Sequence, residues 1–124
     1  MDNRLSKSER LRSFGAIRRL FTEGRGGFVY PFRYVVYAEG AEEMRAEILF
    51  STPKKFLKRA NKRNTLRRRS KEAYRLNKLS LTETSRCQGK SIDIALIYSS
   101  KEVLPYKTIE NAICKILDEV SKLC

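Results

Sequence analysis

Histidine and tryptophan are absent from the 124 residues. Acids are scarce: 14 Asp and Glu stand against 27 Lys and Arg, a net charge of +13. Without histidine, Ser-His-Asp, Cys-His and two-histidine ribonuclease chemistry are closed to this chain on its own. A carboxylate, lysine or tyrosine base remains. The three cysteines, Cys87, Cys114 and Cys124, are too few for a four-cysteine zinc site. They are also odd in number and widely spaced, which fits reduced thiols in a cytoplasmic protein better than a disulfide framework. No apolar run approaches the roughly 20 residues of a membrane span. The polar start, residues 1–13, has no apolar stretch of the kind a secretory signal needs.

What is present is a moderate apolar fraction, 41%, and a concentrated positive charge. The length suits one domain over residues 1–124. Residues 54–78 hold twelve Lys and Arg and one acid, Glu72, a net of +11 that leaves +2 to the other 99 residues. A weaker basic run, Arg4, Lys7, Arg10 and Arg12, makes residues 1–12 a basic arm expected to be flexible. Such a balance points to a polyanionic partner.

Local patterns give the elements. Ser13 can cap a helix to about Thr22, with Ile17, Leu20 and Phe21 on one face and Gly24 at its end. Gly26 and Gly27 read as an open connection. Residues 28–38 are β-branched and aromatic and read as a strand, interrupted near its start by Pro31. A turn at 39–43 predicts a hairpin, with residues 45–51 as the returning strand. The basic segment beyond Pro53 has no Gly or Pro and reads as helix. Residues 79–90 read as a polar connection and 91–98 as a strand. Pro105 opens a last helix whose apolar stripe includes Tyr106, Ile109, Ile113, Ile116, Leu117, Val120 and Leu123. The expected architecture is an α+β, or α/β, sandwich with a small mixed sheet.

At about 100° per residue, Leu66, Ser70, Ala73, Tyr74 and Asn77 share one side of the basic helix, the expected core side. Asn64, Arg67, Arg68, Lys71 and Arg75 fall together on another. A solvated helix face usually mixes signs, and this one does not. A membrane-surface helix would carry a wide apolar belt, which Ser70 and Asn77 interrupt. Guanidinium groups suit bidentate phosphate contacts, and an amide can reach a base edge or a 2′-hydroxyl.

The string from Ala60 to Tyr74, with Arg63-Asn64 followed by Arg67-Arg68 and then Lys71, resembles the signature of the bacterial ribonuclease P protein component. The preceding Ser51-Thr52-Pro53-Lys54-Lys55 is similar to that family's Ser-x-x-Lys-Lys stretch. Leu20 to Gly24, Tyr34 to Tyr37 and Asp93 to Ile97 extend the resemblance over nearly the whole chain. Three positions depart from it. Thr65 stands where the family usually has Arg, one residue is added between Lys55 and Ala60, and Ile17 replaces a frequent aromatic.

The resemblance implies a sheet of about four strands with three helices, in the architecture of the second domain of ribosomal protein S5. It also implies a left-handed βαβ crossover, where general handedness would give a right-handed one. It implies the accessory subunit of an RNA-based endonuclease, in which the RNA hydrolyses precursor tRNA to remove the 5′ leader. No catalytic side chain is expected of the protein. Mg2+ would be held by the RNA and substrate, with no dedicated protein site. Arg59, Lys62, Arg63, Asn64, Arg67, Arg68, Lys71 and Arg75 are the expected contacts to the catalytic RNA. Ile17, Phe21, Val35 and Tyr37 would line a leader-binding cleft, where aromatics stack on unpaired bases. The partners implied are the catalytic RNA and precursor tRNA, with no membrane and no obligate protein partner.

Three other readings compete. A ribosome-associated protein or general RNA chaperone would share the basicity but not the Arg63-Asn64, Arg67-Arg68, Lys71 spacing. A DNA-binding protein would need a helix-turn-helix partner or fewer cations at the base-reading face. A metal-dependent nuclease would need carboxylates converging at strand ends, and Glu39, Glu42, Glu43 and Glu47 read instead as solvated loop and hairpin residues.

Overall fold

The computed structural model describes residues 14–42, 45–82 and 89–123. The expected basic arm, the Ser13 cap, Glu43, Cys87 and Cys124 lie outside the described residues. Helix α1 (Phe14–Glu23) ends where the Gly24 amide donates to the Leu20 carbonyl at 2.9 Å. A Cβ on Gly24 would sit 2.3 Å from that carbonyl oxygen and 2.8 Å from Val35 Cγ1, so glycine lets the chain turn this close to the sheet.

The expected single strand over 28–38 is two strands. β1 (Arg25–Val29) pairs antiparallel with β2 (Phe32–Gly40), and the cis Tyr30-Pro31 bond lies in the turn between them. Gly26 and Gly27 are therefore strand residues, not an open connection. Gly27 lies opposite Tyr34, whose ring passes within 2.4 Å of where a Cβ would stand.

The hairpin expected between β2 and residues 45–51 is also corrected. β3 (Arg45–Ser51) pairs in parallel with β4 (Lys90–Tyr98), and β4 pairs antiparallel with β2. The order across the sheet is β1-β2-β4-β3. Burial explains the insertion: Ile92, Asp93, Ile94, Ala95 and Leu96 are all buried, so β4 needs cover on both faces and both edges. Helix α2 (Ala60–Asn77) and the one-turn helix α3 (Leu79–Thr82) make the connection from β3 to β4. α3 replaces the start of the expected polar connection. Helix α4 (Tyr106–Leu123) begins after Pro105, whose carbonyl accepts from the Ile109 amide at 3.2 Å.

Strand alternation sorts the layers. Phe32, Tyr34 and Val36 of β2, with Ile92, Ile94, Leu96 and Tyr98 of β4, meet α2 and α4 in the main core. Leu66, Ala73 and Tyr74 are buried on α2, as their spacing predicted, and Ser70 beside them donates to the Leu66 carbonyl at 2.8 Å. Each such fully buried large apolar side chain contributes about 1.5–3 kcal/mol. Polar ties fix the layers further. Arg69 Nη1 donates to the Leu104 carbonyl at 2.8 Å, and Asn77 Nδ2 donates to Glu110 at 3.2 Å. The Tyr34 hydroxyl donates to Glu119 at 2.7 Å; that bond and burial push its pKa up to about 12. Helix α1 covers the opposite face of the sheet, where Leu20, Val35 and Ala95 form a second, smaller core.

Candidate nucleic-acid interface

The core side of α2 leaves its basic side outward. Arg59, Lys62, Asn64 and Arg68 are exposed, and Arg63, Arg67, Lys71 and Arg75 are half-buried. The helix begins on Arg59 with no side-chain cap and no acid in its first turn. Its positive dipole end therefore lies among Lys58, Arg59, Lys62 and Arg63, an arrangement that an anion relieves.

The expected contact residues are not equivalent. Arg63 Nη1 donates to the Leu57 carbonyl at 2.9 Å and the Lys58 carbonyl at 2.8 Å. It clamps the loop that carries Lys54, Lys55, Lys58 and Arg59. Arg67 Nη2 donates to Thr52 Oγ1 at 3.3 Å, joining the helix to the end of β3. Arg75 forms an ion pair with Glu72, one turn back, and donates through Nε at 3.2 Å. Arg59, Lys62 and Arg68 have no ion pair among the described residues, so their charge faces outward unmatched. Thr65, at the family's usual Arg position, donates to the Asn61 carbonyl at 3.0 Å.

On the other face of the sheet the four expected cleft residues divide. Val35 is buried and forms floor, Ile17 and Tyr37 pack half-buried beside it, and Phe21 is 47% exposed. The Tyr37 ring is not open. The Arg19 guanidinium lies 4.9 Å from its centroid and pairs with Glu39 at 3.4 Å and Asp93 at 3.8 Å. Burial, opposed by Arg19, raises the Tyr37 pKa. Burial, with Glu47 and Glu39 nearby, likewise raises that of Asp93 against the pull of Arg19. Spacing alone did not pair Arg19 with Asp93. The signal available was an acid at an inward position of an otherwise apolar strand.

Asp93 and Glu47 are register neighbours, and Glu39 lies on the next strand. A cationic guanidinium already sits against two of these three carboxylates. Among the described residues no group of three His, Cys, Asp or Glu could hold a metal ion. With Arg19 against Glu39 and Asp93, these residues do not fit a protein-bound Mg2+. Among the described residues, no helix is long and apolar enough to cross a membrane.

Comparison with known proteins adds identity to this geometry. The family model for ribonuclease P matches residues 5–121. The ribonuclease P protein component of Porphyromonas gingivalis strain ATCC 33277 is 40% identical over 119 residues, covering 94% of this chain and 86% of the relative. That of Chlorobaculum tepidum is 36% identical over 88 residues, 64% of this chain and 54% of the relative. Two solved structures share the fold. The Staphylococcus aureus RNase P protein has a TM-score of 0.70 at 18% identity, covering 94% of this chain and 97% of that one. The Thermotoga maritima RNase P protein has a TM-score of 0.70 at 22% identity, covering 90% and 96%. A family match over most of the chain, a 40% identical relative and the basic α2 between two parallel strands agree: the chain belongs to the ribonuclease P protein family.

Proposed function

We propose that this chain docks on the catalytic RNA of ribonuclease P through the outward side of α2 and, through its α1 face, holds the 5′ leader of precursor tRNA. Hydrolysis belongs to the RNA. The observation that carries the reading is that Arg59, Lys62 and Arg68 have no ion pair among the described residues, at a helix whose opposite side is locked into the core. Guanidinium groups at fixed spacing make bidentate contacts to phosphates and release condensed counterions. Arg63 supports this indirectly, by holding the lysine-bearing loop against the start of the helix. Neutralising RNA phosphates in this way lowers the concentration of Mg2+ that the RNA needs to fold and act.

The test is cleavage of a precursor tRNA by a bacterial ribonuclease P RNA at low Mg2+, with the protein, without it, and with the protein alone. Cleavage at the mature 5′ end that needs both components is the expected result. No stimulation with a compatible RNA would sink the subunit reading and favour a general RNA-binding protein. Cleavage by the protein alone would place hydrolysis on the chain and overturn the division of labour.

A further inference from the structure

Arg19 projects from α1 back onto the sheet. Leu20, next in the chain, is buried with Val35 and Ala95. Arg19 reaches the neighbouring row, where Tyr37 of β2 is opposite Asp93 of β4 and Asp93 is opposite Glu47 of β3. Glu39 lies two residues further along β2, on the same face. The guanidinium is 4.9 Å from the Tyr37 ring centroid, and its Nη2 is 3.4 Å from Glu39 and 3.8 Å from Asp93. The Tyr37 hydroxyl also donates to Glu39, at 3.4 Å. A cation of the protein itself thus covers the ring expected to stack on an unpaired base.

The hold on Arg19 is loose. A guanidinium bonded to a carboxylate comes within about 2.7–2.9 Å, and both acids stand farther off than that. Arg19 Nε is buried and has no hydrogen-bond partner among the described residues. The N–H fork of a guanidinium suits two parallel bonds to a phosphate, and here that capacity is unused. The Arg19 and Glu39 side chains are 41% and 42% exposed, so water screens their attraction. Asp93 also tolerates the loss of its cation. Burial already raises its pKa, so it takes up a proton more readily than an ordinary carboxylate once the cation leaves. A phosphate at this place therefore competes with weak partners for an under-used donor.

We propose that Arg19 is a positioning residue that gates Tyr37: Glu39 and Asp93 hold it over the ring, and a phosphate of the unpaired 5′ leader draws it away and opens the ring to a base. This rests on the leader-binding reading above and adds a gate to it. Glu39 is then a competitor of the RNA for Arg19, not an RNA contact. Its removal strengthens leader binding only while Arg19 is present. Plain repulsion between Glu39 and phosphates would act with or without Arg19, so a double-mutant cycle separates the two.

The experiment uses the holoenzyme reconstituted with the full chain and precursor tRNAs carrying a short or a long leader. The quantity read is the gain in affinity from the short to the long leader. Glu39→Gln should raise that gain by up to about fivefold, the weight of one partly exposed ion pair. Arg19→Met should lower it, because the phosphate loses its cation. Adding Glu39→Gln to Arg19→Met should leave the gain near that of Arg19→Met alone. Both side chains are partly exposed, so neither change threatens the core. The proposal is overturned if Glu39→Gln raises the gain equally in both backgrounds, which marks plain repulsion, or leaves it unchanged in the wild-type chain. A higher gain for Arg19→Met would also overturn it, since Arg19 would then only obstruct the ring. No gain from the longer leader with the wild-type chain would instead refute leader binding itself, and the gate with it.

Discussion

Asp93 is a carboxylate buried in the central strand, and its surroundings decide its titration. Burial raises its pKa first, Glu47 and Glu39 add to the rise, and Arg19 opposes it. The Arg19 side chain is 41% exposed, so water screens the pair and its contribution is small, about 0–1 kcal/mol. The native state therefore holds the Asp93 proton more tightly than the unfolded chain does. Linkage then makes stability fall as pH rises from the unfolded carboxylate value, about 4, through the raised native value. Asp93→Asn removes that slope while keeping the side-chain shape. In urea unfolding from pH 4 to 7, the stability of Asp93→Asn relative to wild type should rise with pH. A constant difference would show that the Arg19 pair balances burial, and a relative stability that falls as pH rises would show that it outweighs burial. At this scale the sequence was legible where neighbours along one helix decide the outcome, as at Leu66, Ser70, Ala73 and Tyr74. It was not legible where the partner comes from a distant element. Arg19 read as one more cation of a basic run, and only the packing of α1 on the sheet places it over Tyr37 and against Asp93.

Elements follow the same division. The ends of α1 and α2 and the start of α4 were readable from apolar spacing and from Gly24 and Pro105, but the start of α2 was not: residues 54–59 form a loop where helix was expected from Pro53 onward. Strand pairing was not readable either. Consecutive strands usually neighbour each other, which made a β2–β3 hairpin the natural expectation. β4, buried along its length, instead separates them. Gly26 and Gly27 hid β1, because the need for glycine at position 27 comes from the Tyr34 ring on the facing strand. The loop between β3 and α2 shows how an element can depend on one long-range side chain. Arg63 bonds two carbonyls of that loop from within the helix. Arg63→Ala should cost about 1.5–3 kcal/mol, the range for hydrogen bonds that involve a charged group. It should also speed hydrogen exchange of the Phe56 and Leu57 amides, both bonded to the Pro53 carbonyl. Arg68→Ala, which removes the same charge from an exposed position, should leave stability and exchange near wild type. Equal stability of the two variants would mean that Arg63 acts only through its charge.

For the molecule as a whole, the decisive property is where the charge lies. The net +13 is not a uniform coat, since residues 54–78 carry +11 of it. Folding places this segment as one helix and its approach loop along one side, while α1 lies on the opposite face of the sheet. Affinity for the catalytic RNA should therefore respond to salt through a small, countable set of cations. If about five of them meet phosphates, log K falls against log salt with a slope of roughly −3.5 to −4.5. Arg68→Ala should make that slope shallower by about one, because Arg68 is outward and unpaired among the described residues. Arg75→Ala should change it less, since Glu72 already neutralises part of that charge. Filter-binding titrations from 50 to about 200 mM salt separate these cases. A slope near zero would rule out phosphate docking by α2. Equal losses for Arg68 and Arg75 would mean that Glu72 releases its partner when RNA binds, so the ion pair of the free protein would not survive in the complex.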